Sequence, residues 1–164
     1  MGDRVIDVFE SELRGNRFNM VDGASKNQIA SFFYEVVDRD ARADTPWGHV
    51  AANGGGRLTL DIQITLEEAP FAEVHIGPMM MKYVIRFHSG KVLTFKSWRL
   101  GTEYRYEWDI GKIKFKFMEK LLGDNRHLLR VSLTGDSPVD FERLVMVLLT
   151  TVVFMARIGP DEGG

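Results

Sequence analysis

The sequence contains no cysteine among its 164 residues. Disulfide bonds, thiolate zinc sites and a cysteine nucleophile are therefore excluded. A chain without disulfides suits a reducing compartment, so we expect a cytoplasmic location. The four histidines are scattered and form neither an HxH nor an HExxH spacing, so the sequence predicts no metal site and no cofactor.

Motifs for catalysis are also missing. No GxSxG elbow occurs in the chain. The glycine run at 54–56 leads into a strand pattern, whereas a phosphate-binding loop would lead into a helix. The acidic residues around 38–44 lack the Gly and Glu positions of an EF-hand. We therefore expect a protein that is not an enzyme and has no catalytic residues.

Hydrophobic runs long enough to cross a membrane are absent as well. The first six residues lack the apolar core of a signal peptide. The charge-free hydrophobic run at 144–156 has 13 residues and would measure about 20 Å as a helix. A bilayer core requires about 30 Å. The sequence therefore predicts no transmembrane span.

Short β-rich runs, separated by glycine and other turn residues, occupy the chain from residue 31 onward. None of the gaps between the runs can hold a helix, which excludes a parallel α/β architecture. The pattern predicts an all-β antiparallel barrel or sandwich within a single domain over 1–164. The nine candidate strands are 31–38, 47–52, 57–65, 71–76, 81–88, 91–98, 103–110, 112–118 and 127–134.

The N-terminal segment gives a helical pattern. Val5, Ile6, Phe9 and Leu13 recur at helical spacing after a possible cap at Asp3, which indicates a short helix.

The C-terminal segment predicts a second, much more hydrophobic helix over 139–158. It follows Pro138, carries Asp140 and Glu142 in its first turn, and ends before a Gly-Pro pair at 159–160. The segment is apolar nearly all round, which is typical of a helix enclosed by protein on every side. Residues 159–164 are expected to form a flexible tail.

The charges are distributed unevenly along the chain. Residues 1–75 carry 13 acidic and 7 basic side chains, residues 76–130 carry 5 and 12, and residues 131–164 carry 5 and 2. The resulting net charges are −6, +7 and −3, which sum to the overall −2. A basic block inside an acidic protein indicates a surface for anions.

The clearest predicted hairpin turns at Ile110-Gly111. This turn would place Glu107 opposite Lys114 and Arg105 opposite Lys116, with aromatic side chains on the other face. Acidic residues across the hairpin therefore neutralise part of the basic charge. The cations least evidently neutralised are the candidate anion ligands: Lys91, Lys96, Arg99, Arg105, Lys116 and Lys120. Three consecutive methionines, Met79, Met80 and Met81, are a candidate interaction surface or part of the core.

Two strand-turn units and the closing helix carry a resemblance to a known family. They are residues 34–40 (YEVVDRD), 91–99 (KVLTFKSWR) and the helix start at 140–144 (DFERL). In architecture the chain resembles the tubby-like barrel superfamily, including the LURP-one-related proteins and the phospholipid scramblases. The resemblance implies a closed twelve-stranded barrel around a central hydrophobic helix. It also implies a module that binds membranes, lipids or phosphoinositides without established catalysis in its small members.

The leading functional hypothesis is a non-enzymatic module that binds an anionic lipid or membrane surface through the 82–120 region. One alternative is a protein-interaction or assembly module that uses the methionines and exposed strand edges. Another is a carrier of a small apolar ligand beside the helix. Aromatic and charged side chains lie on opposite faces of the predicted hairpin, which argues against nucleic acid as the partner.

Overall fold

The structure, a computed structural model, describes residues 3–11, 17–35, 40–54, 61–77, 82–98, 103–108, 111–122, 125–136 and 139–157. Within them it contains twelve strands and one helix. The strands are β1 (Arg4–Ser11), β2 (Arg17–Asp22), β3 (Gln28–Glu35), β4 (Asp40–Thr45), β5 (Gly48–Gly54), β6 (Asp61–Leu66), β7 (Ala69–Ile76), β8 (Lys82–Phe87), β9 (Val92–Trp98), β10 (Glu103–Trp108), β11 (Gly111–Leu122) and β12 (Asn125–Gly135); the helix is α1 (Phe141–Arg157).

The strands form a closed antiparallel barrel. Each pairs with its neighbour in sequence, and β1 pairs with both β2 and β12, which closes the sheet. Buried and exposed residues alternate along the strands, as in β8, where Tyr83, Ile85 and Phe87 are buried. This alternation puts one face of every strand inside the barrel. The predicted all-β antiparallel fold with one hydrophobic helix is confirmed, in its barrel form.

The predicted N-terminal helix is wrong, because residues 4–11 form β1. Ile6 and Val8 point into the barrel, whereas Asp7 lies opposite Arg130 of β12. The apolar residues of this segment are compatible with the period of a helix and with that of a strand. Pairing with β2 and β12 selects the extended conformation.

The strands also begin earlier than residue 31, because β1 and β2 precede it, and β4 lies between the predicted strands 31–38 and 47–52, where no strand is predicted. In β4 the buried residues are Ala41 and Ala43, which alternate with Arg42 and Asp44. Alanine and aspartate are depleted in strands, so propensity alone does not reveal this element.

The helix α1 lies inside the barrel. Residues 144–151 are each at most 1% exposed, and eight consecutive residues cover more than two turns, so every side of the helix is enclosed. The Thr150 and Thr151 hydroxyls donate to the carbonyls of Met146 and Val147, each at 2.9 Å, which satisfies both buried hydroxyls. The predicted burial of this helix is confirmed, while the predicted tail at 159–164 lies outside the described residues.

The start of α1 is attached to the barrel wall. Asp140 caps it by accepting a hydrogen bond from the Arg143 amide at 3.2 Å. Arg4 of β1 pairs with Glu142 and lies 5.3 Å from the centre of the Phe141 ring. Within the described part of the chain, no helix is both long and apolar enough to cross a bilayer.

Candidate functional site

A row of basic side chains crosses four neighbouring strands on the outside of the barrel. Lys82 of β8 lies opposite Lys96 of β9, which lies opposite Arg105 of β10. Arg105 in turn lies opposite Lys114 of β11. We call these four residues the basic row. With neighbouring strands about 4.8 Å apart, the row is about 14 Å long.

The register of the β10–β11 hairpin differs from the predicted one. Trp108 lies opposite Gly111, so every β10 residue faces a β11 residue two positions earlier than expected. Arg105 therefore faces Lys114 and Glu103 faces Lys116, in place of the predicted Arg105–Lys116 and Glu107–Lys114 pairs. A shift of two keeps each side chain on its predicted face, because side chains in a strand alternate with a period of two.

One buried carboxylate neutralises half of the basic row. Glu103 is 4% exposed, and its Oε2 accepts hydrogen bonds from Arg105 Nη2 at 2.8 Å and Nε at 3.0 Å. Its Oε1 lies 3.7 Å from Lys114 Nζ. The carboxylate is held between two cations, and those cations are directed toward it and away from solvent ligands.

The other half of the basic row is uncompensated. Lys82 and Lys96 are both exposed, and neither has an ion pair with a carboxylate among the described residues. Like charges directly opposite each other on paired strands are destabilising. An anion placed between Lys82 and Lys96 would remove this repulsion, so this end of the row is the part suited to a ligand.

A recess of about 430 Å³ adjoins the row, where β9 and β10 separate. Their register joins only Glu103, Tyr104 and Arg105 to Trp98, Ser97 and Lys96. Every other neighbouring pair of strands in the described part is joined over at least five residue pairs. The recess is lined by Thr94, Lys96, Ser97, Arg105, Tyr106 and Glu107.

An aromatic cluster lies behind the recess. The Tyr106 ring lies 5.9 Å from the Phe95 ring, which packs 5.1 Å from Phe115. Phe115 in turn stacks on Tyr104 at 4.9 Å. Burial raises the pKa of the Tyr104 hydroxyl, so this group is neutral at physiological pH. Tyr106 is the member of this cluster that lines the recess, and the other lining residues are polar or charged.

The structure brings together two of the predicted anion ligands, Lys96 and Arg105, at one end of the recess. Lys91 lies in the β8–β9 turn, five residues and about 16 Å along the strand from Lys96. Lys116 lies beside the row on the outer face of β11, opposite Glu103 and Arg130.

The remaining predicted residues cannot be placed in the site. The backbone of Lys120 pairs with His127, but its side chain is outside the described atoms. Arg99, Met79, Met80 and Met81 lie outside the described residues. Lys82 and Lys114, which belong to the basic row, were not among the predicted anion ligands. Register assignment for three successive hairpins would have found them.

A second charged cluster lies where the barrel closes. Asp7 of β1 is 4% exposed, and its Oδ1 lies 2.8 Å from both His127 Nε2 and Arg130 Nε of β12. The hydrogen bond that Arg130 donates to the Asp7 carboxylate raises the pKa of Arg130 above its usual value. Phe9 stacks on the His127 ring at 4.7 Å. Because all partners come from β1 and β12, this cluster stabilises the closing seam.

No group of three or more His, Asp or Glu side chains within the described ranges is arranged to hold a metal ion. Comparisons with models of protein families, with curated proteins and with solved structures found no match. The function is therefore argued from the residues of this chain.

Proposed function

We propose that this protein is a non-enzymatic module that binds anionic lipid headgroups at a membrane surface through the basic row. The observation that carries the proposal is the exposed pair beside Arg105, Lys82 and Lys96, neither of which has an ion pair with a carboxylate of the described residues. Lys82 and Lys96 lie on the outer face of consecutive strands, so both can meet a flat anionic surface, while Arg105 beside them is held by Glu103. Such surfaces are found on the cytoplasmic leaflet, which agrees with a cytoplasmic location for a chain without cysteine.

The electrostatic magnitudes fit weak, reversible binding. Two unit charges about 5 Å apart repel by about 1 kcal/mol in water. A phosphate between Lys82 and Lys96 replaces that repulsion with two attractions of similar size. Each lysine near an anionic membrane contributes about 1 kcal/mol to binding. Two lysines therefore provide about 2 kcal/mol, which corresponds to about a thirtyfold change in affinity.

We also propose membership of the tubby-like barrel superfamily. Twelve strands closed around a central hydrophobic helix agree with the architecture that the resemblance implies. Fold and function remain separate arguments, because one fold hosts many activities.

The alternative hypothesis of an apolar-ligand carrier receives less support. The helix α1 occupies the inside of the barrel, and its residues 144–151 are enclosed on all sides. A ligand would have to share that interior with the helix. The alternative of a protein-interaction module is favoured by one observation, the separation of β9 from β10.

Cosedimentation with liposomes tests the proposed function. Phosphatidylcholine vesicles with and without 20% phosphatidylserine (about one anionic lipid in five) are compared across a salt series, since screening weakens exposed charges. We expect binding only to anionic vesicles, and about a thirtyfold loss of affinity when Lys82→Gln and Lys96→Gln are combined. Inorganic phosphate as a competitor distinguishes a free-phosphate site from a lipid surface.

Lys26→Gln provides the matched control, because Lys26 is an exposed lysine in the β2–β3 turn, away from the basic row. We expect this variant to bind anionic vesicles like the parent protein. Equal binding of the double variant and the parent would refute the proposed role of the basic row.

A further inference from the structure

We infer that the recess between β9 and β10 accepts an extended peptide segment of a partner protein as an added strand along β9. This goes beyond the proposed lipid function, because the ligand is a polypeptide backbone and the contacts differ. The barrel wall is interrupted at the point where the β9–β10 register ends.

The interruption leaves one edge of β9 without a strand partner among the described residues. Residues 92–95 pair with β8 on one side, but no described residue pairs with them on the β10 side. Backbone N–H and C=O groups in a fold are nearly always paired with protein or with water. Successive residues of an antiparallel strand direct these groups to opposite edges, so every second residue of this segment presents its groups to the β10 side, where Thr94 lines the recess. A row of such groups is the template for strand addition.

The side chains along this edge determine which peptide fits. On the outer face of β9 the order is Val92, Thr94 and Lys96, with Val92 48% exposed. An added strand places its own alternate side chains beside these residues. An apolar side chain fits beside Val92, and a carboxylate fits near Lys96.

The closed end of the recess strengthens the choice of a carboxylate. Lys96 and Arg105 lie opposite each other there, and Lys82 follows on the next strand. Glu103 neutralises the charge of Arg105 but has no ion pair with Lys96 in the described part of the protein. The partner is therefore an extended segment with an apolar and an acidic residue about four positions apart, the separation of Val92 and Lys96 along β9.

Amide exchange and NMR shifts on the full-length protein test this inference without any membrane. The probes are two capped eight-residue peptides of alternating valine and threonine, with two glutamates at the N-terminal end in one and at the C-terminal end in the other. The matched control peptides carry N-methyl groups on alternate backbone amides. These groups abolish strand pairing and leave the charges unchanged.

We expect amides on the open edge of residues 92–95 to exchange rapidly in the free protein and at least about tenfold more slowly with one of the two peptides. Lys96→Gln should weaken binding about tenfold, the usual effect of losing a charge-assisted hydrogen bond. Lys26→Gln should bind the peptide like the parent protein.

Three results would overturn the inference. Slow exchange in the free protein would mean that the edge is already paired. Equal binding of the N-methylated control would mean that charge alone attracts the peptide. Protection that rises with protein concentration in the absence of peptide would assign the edge to a second copy of this chain. Liposome binding that depends on the basic row would survive each of these results, so the two proposals fail separately.

Discussion

The Asp7–His127 pair provides a test of how burial sets the strength of an interaction, because the barrel contains an exposed pair of the same type. Asp7 and His127 have side chains 5% and 6% exposed, with 2.8 Å between Oδ1 and Nε2. Asp44 and His49 are 3.0 Å apart, with side chains 96% and 45% exposed. Both are Asp–His pairs at similar distance that differ in burial, and Asp7 also pairs with Arg130, so comparing Asp7→Asn with Asp44→Asn tests burial once the Arg130 share is subtracted.

The expected cost of Asp7→Asn follows from the groups that it affects. The buried His127 and the partly exposed Arg130 share the Asp7 carboxylate. A disrupted hydrogen bond to a buried group costs about 1–3 kcal/mol. The Arg130 side chain is 47% exposed, so its share is reduced by solvent to about 0.5–1 kcal/mol. We expect a total loss of about 1.5–4 kcal/mol.

Urea unfolding measures both variants. With a slope of about 2 kcal/mol/M, Asp7→Asn should lower the midpoint by about 0.8–2 M. Asp44→Asn should change stability by less than about 0.5 kcal/mol, because exposed ion pairs contribute little. A loss below about 0.5 kcal/mol for Asp7→Asn would refute the reasoning that the seam depends on this carboxylate.

Two further predictions concern the helix and an acidic turn. Leu148→Ala, at a position 1% exposed inside the barrel, should cost about 2–5 kcal/mol of unfolding free energy in urea; a loss below about 1 kcal/mol would contradict the enclosed helix. In the β2–β3 turn, hydrogen bonds from the Ser25 and Ala24 amides lower the pKa of Asp22. Because its pKa is lower in the folded state, Asp22 stabilises the fold fully above the ordinary carboxyl pKa of about 3.9, and this contribution is lost as pH falls through the folded-state value. NMR titration of the Asp22 carboxyl should show this depressed pKa, and the stability difference between the parent and Asp22→Asn should shrink at low pH.

Several elements of this fold could be predicted from the sequence because their signals are local. In β8 the alternation of buried and exposed residues is written in the chain as polar and apolar residues at a period of two. The helix α1 has its own start signal at Asp140 and a hydrophobic run that requires enclosure. The basic block was likewise visible as a count of charges.

The strands β1 and β4 were not predicted, because their local sequence patterns do not identify a strand. The apolar residues of β1 allow a helical or an extended reading, and only its pairing with β2 and β12 distinguishes them. The core positions of β4 are alanines, which carry a weak strand signal. Both strands form because they pair with their neighbours in the closed sheet.

The sequence by itself determined the fold class, the enclosed helix and the basic character of the 76–130 block. Tertiary structure alone decided closure into a barrel, the alignment of Lys82, Lys96 and Arg105, and the recess between β9 and β10. Local patterns assign a side chain to a face, because the strand period is a property of one segment. Which residues lie side by side depends on register, and register is set jointly by the turns and by pairing around the whole barrel.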